Sequence, residues 1–198
     1  MKAKIKNPGK IFIISGPSGS GKTTLLKELI RQGHLKKRLV KSVSLTTRPP
    51  RPGERQGRDY IFVSRKDFQR LRQNKKILEW TRYLGYYYAT PRDRVENMLA
   101  AGKHILLCLD LKGALKVKRL YPEQTVTIFV MPPSIRELYR RIRKRCCNTK
   151  SQEIARRLEL ATVEMRSRKG YDYCLMNKDF DSSLQRLKDI VFRKQLLK

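Results

Sequence analysis

Short apolar runs punctuate an otherwise polar chain: Ile11 to Ile14, Ile105 to Leu109, Val126 to Val130 and Tyr173 to Met176. Runs of this length and character predict strands covered on both faces. Helix-compatible patterns alternate with them over Thr24 to Gln32, Pro91 to Ala101, Ser134 to Lys144, Glu153 to Ser167 and Ser182 to Leu196. Alternation of this kind predicts an α/β sandwich around a parallel sheet. Val43 to Thr90 breaks the rhythm with a proline and arginine cluster at 48 to 52, a glycine turn, and short aromatic strands such as Tyr60-Ile61-Phe62-Val63. It reads as an inserted, mixed or antiparallel small lobe. A second anomaly, the arginine-rich stretch Arg141 to Arg157, is interrupted by Cys146, Cys147 and Asn148 between two helices, and predicts a mobile flap. No internal repeat, low-complexity tract or linker separates domains.

The loop between the first strand and the first helix carries the strongest chemical signal. Gly16-Pro17-Ser18-Gly19-Ser20-Gly21-Lys22-Thr23 fits the phosphate-binding pattern G-x-x-x-x-G-K-[ST] at every fixed position, in its required strand, loop, helix context. Its glycines let consecutive amides turn inward around phosphate oxygens at a helix N-terminus. Lys22 adds a full positive charge, Thr23 offers a hydroxyl oxygen to Mg2+, and Thr24 continues the first turn. The expectation is a site for a nucleoside triphosphate with its Mg2+ ion.

Composition widens the list of anionic partners. The 198 residues hold 47 Lys+Arg against 17 Asp+Glu, a net charge of +30. That excess attracts nucleotides, and spread along the whole chain it also predicts nonspecific, salt-sensitive nucleic-acid association. Neither an RNA-recognition aromatic pattern nor zinc-finger spacing is present, so specific nucleic-acid reading is not expected. The cysteines at 108, 146, 147 and 174 form no C-x-x-C, which points away from a zinc site or disulfide framework and towards reduced thiols in the cytoplasm. The basic start runs into an apolar stretch too short for a signal-peptide core, and no segment approaches a membrane span.

Beyond the phosphate loop the residues fall into a family order. Ser42-Val43-Ser44-Leu45-Thr46-Thr47-Arg48-Pro49-Pro50-Arg51-Pro52-Gly53-Glu54, Gly57-Arg58-Asp59-Tyr60 and Gly85-Tyr86-Tyr87-Tyr88-Ala89-Thr90 closely resemble the monophosphate-binding lobe of guanylate kinases. Leu109-Asp110, Pro132-Pro133-Ser134, Arg156-Arg157-Leu158 and Tyr171-Asp172-Tyr173 with Asn177 continue the resemblance, which covers about residue 10 to about residue 195. It implies one P-loop domain over residues 1–198: a core at about 8–42, 97–140 and 158–198, a GMP lobe at about 43–96, and a lid at about 141–157. The implied reaction moves the γ-phosphoryl group of ATP to GMP, and to dGMP.

The resemblance also implies roles. Arg48, Arg51, Tyr60 and Tyr88 grip the GMP phosphate, a grip their chemistry supports through charge-assisted hydrogen bonds. Glu79 accepts from guanine while Ser44 and Thr90 supply hydroxyls. Asp110 meets guanine or the water shell of Mg2+. Lys22, Arg48, Arg141, Arg145 and Arg157 carry transferred charge, and Asn177 lies near the adenine of ATP. Two departures stand out: Cys108 replaces an acid usual two positions before this aspartate, and Cys146-Cys147-Asn148 replaces the usual small flap residues. A thiol accepts hydrogen bonds poorly, so the first departure bears on metal-water organisation and rate. Two other readings compete, a same-fold kinase for a ribose phosphate and a noncatalytic GMP- or peptide-binding module. Ser44, Glu79 and Thr90 argue against the first, and the intact phosphate loop against the second.

Overall fold

The computed structural model describes residues 9–31, 38–145 and 151–192. In chain order the first elements are β1 (Ile11–Ser15), α1 (Lys22–Arg31), β2 (Leu39–Lys41), β3 (Leu45–Thr46), β4 (Ile61–Phe62), α2 (Arg65–Gln73), β5 (Ile77–Tyr83) and β6 (Tyr86–Pro91). They are followed by α3 (Arg92–Ala100), β7 (His104–Cys108), α4 (Leu111–Leu120), β8 (Thr125–Met131), α5 (Ile135–Arg145), α6 (Ser151–Arg166), β9 (Tyr173–Met176) and α7 (Phe180–Phe192). The strands build a five-stranded sheet in the order β2-β7-β1-β8-β9 and a four-stranded sheet in the order β4-β3-β6-β5. The chain is thus α/β, with parallel pairing at β2·β7 and β8·β9.

Burial follows position in the larger sheet. Every residue of β1 and β8 is buried, and these strands stand inside the order, where both faces need apolar cover. At the edge, β9 buries only Leu175, and its other side chains remain partly or fully exposed. The first helix buries Leu25, Leu26 and Leu29, and the last buries Leu184, Leu187, Ile190 and Val191, one apolar stripe each at helical spacing.

By contacts along the chain the protein divides into two compact units. One comprises Met1–Ile11, Lys37–Leu107 and Lys112–Thr125; the other comprises Phe12–Lys36, Cys108–Leu111 and Val126–Lys198. The first unit contains the whole four-stranded sheet. That sheet is mixed, since β3 pairs parallel with β4 but antiparallel with β6, and β5 pairs antiparallel with β6. Leu45, Phe68, Ile77 and Ala89 form its small core. The β5/β6 hairpin closes at Leu84 and Gly85, both at positive φ, 48° and 83°, the pattern of a two-residue turn matched to strand twist.

Three elements escape the periodicity reading. Helix α2 buries Phe68 alone, so no apolar stripe announces it; its start is fixed by Ser64, whose hydroxyl accepts from the Asp67 amide. Helix α4 begins directly after Asp110 and contains Gly113, so Leu109 reads as strand although β7 stops at Cys108. Strand β2 is three residues long. The flap residues Cys146, Cys147 and Asn148 lie outside the described residues.

Candidate nucleotide site

In the unit that holds the phosphate loop, the backbone itself requires the glycines. Gly16 and Gly21 sit at φ 138° and 90°, which side-chain-bearing residues rarely adopt. Space is equally strict, because a Cβ on Gly16 would strike the Val130 carbonyl and one on Gly21 would strike the Asn177 side-chain amide. The loop is tied by Ser20 N donating to Pro17 O at 3.1 Å and by Asn177 Nδ2 donating to Ser20 O at 2.8 Å. Asn177 is buried and its own amide donates to Met131 O at 2.7 Å, so it braces the loop against the end of β8. Lys22 and Thr23 open α1, where helix geometry leaves the first amides without intrahelical acceptors. Lys22 Nζ donates to Pro17 O at 3.0 Å, folding the ammonium back over the loop. The hydroxyl of Ser20 is buried without a hydrogen-bond partner among the described residues.

Around this loop the same unit gathers charge. Arg141 lies beside it, since a Cβ on Gly21 would stand 3.8 Å from the guanidinium. Glu137 holds Arg141 Nε at 2.8 Å and takes both oxygens to Arg140 at 2.7 Å, which carries its carboxyl down to about 2. Arg157 is buried on α6. Arg145 is the last residue of α5, and its side chain lies outside the described part of the structure.

A second group comprises Ser15, Asp110, Glu164 and Tyr171. Burial pushes the Glu164 carboxyl up; the Lys22 charge pulls it down and the Asp110 charge pushes it up again. Burial also pushes the Tyr171 phenol up to about 12, helped by Asp110 and Glu164 and opposed by its hydrogen bond with Ser15. Ser15 Oγ in turn donates to Leu109 O at 2.6 Å, just before Asp110. Cys108 is exposed with a free thiol.

The fit of Mg2+ rests on these donors. Thr23 Oγ1 and the Asp110 carboxylate are hard oxygens of the type that ion takes. Among the described residues no three or more His, Cys, Asp or Glu side chains converge on one point. The residues therefore suit an ion that shares its coordination with phosphate oxygens and water rather than one held in a protein cage.

The lobe sheet in the other unit brings together the second set of predicted residues. Register places Glu79 opposite Thr90, and Thr90 Oγ1 donates to Glu79 Oε1 at 2.6 Å with both residues buried. Ser44 is half-buried, and its carbonyl accepts from Ile61 N at 2.9 Å. Arg48 is 8% exposed, lies 5.5 Å from the Tyr60 ring centre, and donates from Nε to Tyr88 Oη at 3.2 Å. Arg51 is exposed at the turn, where its amide donates to Glu54 Oε2 at 2.9 Å.

Glu54 is the residue in this lobe to which the sequence reading gave no role. Arg48 Nη2 donates to both its oxygens, at 3.0 and 2.9 Å, while Nη1 donates to Pro49 O at 2.7 Å. Burial pushes the Glu54 carboxyl up, but the Arg51 amide and the Arg48 guanidinium outweigh it and hold it below the ordinary carboxylate value. Its position three residues after Arg51 was the available signal, a turn acid within reach of its own preceding amide. Glu137 was likewise legible as the acid four residues before Arg141 on one helix. Glu164 and Tyr171 had no local signal, because Asp110 is far from them in sequence.

Known proteins match this arrangement over nearly its full length. A family model described as guanylate kinase matches residues 8–194. A guanylate kinase of Desulfitobacterium hafniense is 43% identical over 187 residues, 94% of this chain and 90% of that protein. One from the Wolbachia of Brugia malayi is 39% identical over 97% of this chain and 96% of its own. The crystal structure of guanylate kinase from Anaplasma phagocytophilum superposes with a TM-score of 0.79 at 35% identity, covering 98% of this chain and 89% of that one.

Proposed function

The chain belongs to the guanylate kinase family, and we propose that its two groups of site residues divide one phosphoryl transfer between them. As a nucleoside monophosphate kinase it moves the γ-phosphoryl group of ATP to GMP. Gly16 to Thr24 hold the ATP phosphates, with Lys22 on the terminal ones. Thr23 and, through water, Asp110 would hold Mg2+, which would supply positive charge against the phosphates. Residues at about 43–96 take GMP or dGMP, and Arg141, Arg145 and Arg157 belong to a lid at about 141–157.

The chemistry needs no general base. A GMP phosphate oxygen, already anionic near neutral pH, forms the new O–P bond to the γ-phosphorus. The bond to the β-bridging oxygen breaks, and ADP leaves with its electron pair. What the protein contributes is alignment of two mutually repelling anions and positive charge on the group in flight. Arg48, held by Tyr88 and Glu54, orients the acceptor phosphate with Arg51, Tyr60 and Tyr88. Lys22, Arg141, Arg145 and Arg157 meet the charge on the transferred group. A cytoplasmic location fits an enzyme that draws on ATP; among the described residues no helix is long and apolar enough to cross a membrane.

The observation that carries the guanine assignment is the Glu79–Thr90 pair. A buried carboxylate with a hydroxyl at 2.6 Å offers acceptors to the guanine N1–H and exocyclic amine, and the half-buried Ser44 belongs to the same lobe. Adenine presents the opposite pattern and leaves those buried groups unpaired, a mismatch that gives rejection on the order of 10^4-fold. Calorimetric titration of GMP and AMP into wild type and Glu79→Gln tests this. The wild type is expected to take GMP only, and the variant to lose most of that preference; an undiminished preference in Glu79→Gln overturns the assignment.

A further inference from the structure

The lobe sheet has a second face, and its chemistry differs from the guanine side. On β5 and β6 the register pairs Glu79 with Thr90 and Thr81 with Tyr88, while Trp80 pairs with Ala89 and Arg82 with Tyr87. Alternation therefore puts Trp80, Arg82 and Tyr87 on the face opposite Glu79, Tyr88 and Thr90. There Phe68 of α2 stacks on Tyr87 at 4.8 Å and meets Trp80 edge-on at 6.4 Å. Trp80 is 38% exposed. The guanidinium of Arg72 lies 5.4 Å from the Trp80 ring centre, that of Arg82 lies 6.0 Å from the Tyr87 ring centre, and the two rings are 5.7 Å apart. Two aromatic rings, Trp80 and the partly covered Tyr87, thus stand between two exposed cations, Arg72 and Arg82.

Charge around the row is predominantly positive. Helix α2 and the turn after it expose Arg65, Lys66, Arg70, Arg72, Lys75 and Lys76. Asp67 pairs with Arg70 and Asp93 with Lys76, which leaves Arg65, Lys66, Arg72 and Lys75 without a carboxylate partner among the described residues. Arg65 and Arg72, seven residues apart, lie on one stripe of the helix with Phe68, the stripe that meets Trp80. None of these side chains belongs to the phosphate or guanine machinery, and a net charge of +30 is far more than two nucleotide substrates call for.

We propose that this face binds single-stranded nucleic acid, with bases stacking on the Trp80 indole and its covering Arg72 guanidinium, and phosphates neutralised by the α2 cations and Arg82. Charge complementarity selects a polyanion. The planar arginine and aromatic pairs select one that carries unstacked bases, because every base offers a π-face whatever its sequence. Binding is sequence-tolerant, falls steeply with salt, and does not compete with GMP.

Trp80 is the single tryptophan of the chain, so its fluorescence reports on this face alone. The experiment titrates the full-length protein with a uridine 12-mer RNA, following tryptophan quenching and the anisotropy of labelled RNA from low to physiological salt. Saturable quenching that survives excess GMP is expected, together with loss of affinity in Arg72→Ala/Arg82→Ala at unchanged GMP kinase activity. Removing the Arg82 phosphate contact should also lower the slope of log K against log salt by about 0.7. Circular dichroism and the retained activity show that the variant is folded. RNA binding without quenching, or with the same affinity and slope in the variant, overturns the proposal in favour of diffuse charge. So does equal affinity for a duplex of the same length, or quenching by anionic phospholipid vesicles but not by RNA.

Discussion

Replacing Glu54 by Gln should weaken GMP and leave ATP untouched. Arg48 makes its contact to Glu54 with side-chain exposures of 9% and 19%, so the pair is largely desolvated. A hydrogen bond to a charged group contributes about 1.5–3 kcal/mol; the doubly charged Arg48–Glu54 contact belongs at the upper end of that range and a guanidinium bond to the neutral Gln oxygen at the lower end. The loss, about 1–1.5 kcal/mol, falls on the orientation of the guanidinium that meets the acceptor phosphate. It corresponds to roughly a 5- to 13-fold rise in the GMP constant. Steady-state KM for GMP at saturating Mg-ATP, checked by calorimetry of GMP alone, reads the effect; KM for ATP is the internal control. If Glu54 instead competes with the phosphate for Arg48, the variant binds GMP more tightly. Tighter or unchanged GMP binding refutes the reasoning.

Other consequences follow from single contacts. Gly21→Ala places a side chain at φ 90° and against Asn177, so it should lower the unfolding midpoint; Asn177→Ala in the same chain should restore only the part due to collision. Tyr171 has its folded pKa raised from 10.0 to about 12, so the neutral phenol stabilises the fold fully below pH 10 and that contribution disappears as pH rises towards 12. The unfolding midpoint of wild type should therefore fall over that window, and Tyr171→Phe should flatten the slope. Cys108→Asp should raise kcat if an acid at this exposed end of β7 limits the rate, and an unchanged kcat refutes that account.

Much of this was legible in the sequence where chemistry is local. The phosphate loop needed only its glycine spacing, lysine and threonine, and the burial of β1 and β8 follows from apolar runs with little polar interruption. Arg48, Tyr60 and Tyr88, and Glu79 with Thr90, were named from the resemblance, and the structure brings each set within contact. What stayed hidden depends on pairing across distance. Asn177 is placed near the adenine of ATP by the resemblance alone, and the contact of its amide with Ser20 O, 157 positions away, had no local signal. Glu164 and Tyr171 gain meaning only beside Asp110, and α2 buries too few residues to leave a period. The polar lobe helix and the reverse face of its sheet carry no motif, because stacking on Trp80 requires the register of β5 and β6 and the placement of Phe68.

The most direct test of the central claim is ADP formation by the purified protein with Mg-ATP and, separately, GMP, dGMP, AMP, UMP, CMP or a ribose phosphate. Turnover confined to GMP and dGMP is the predicted result. Turnover with AMP or a ribose phosphate, or none with GMP while GMP still binds, would contradict the account.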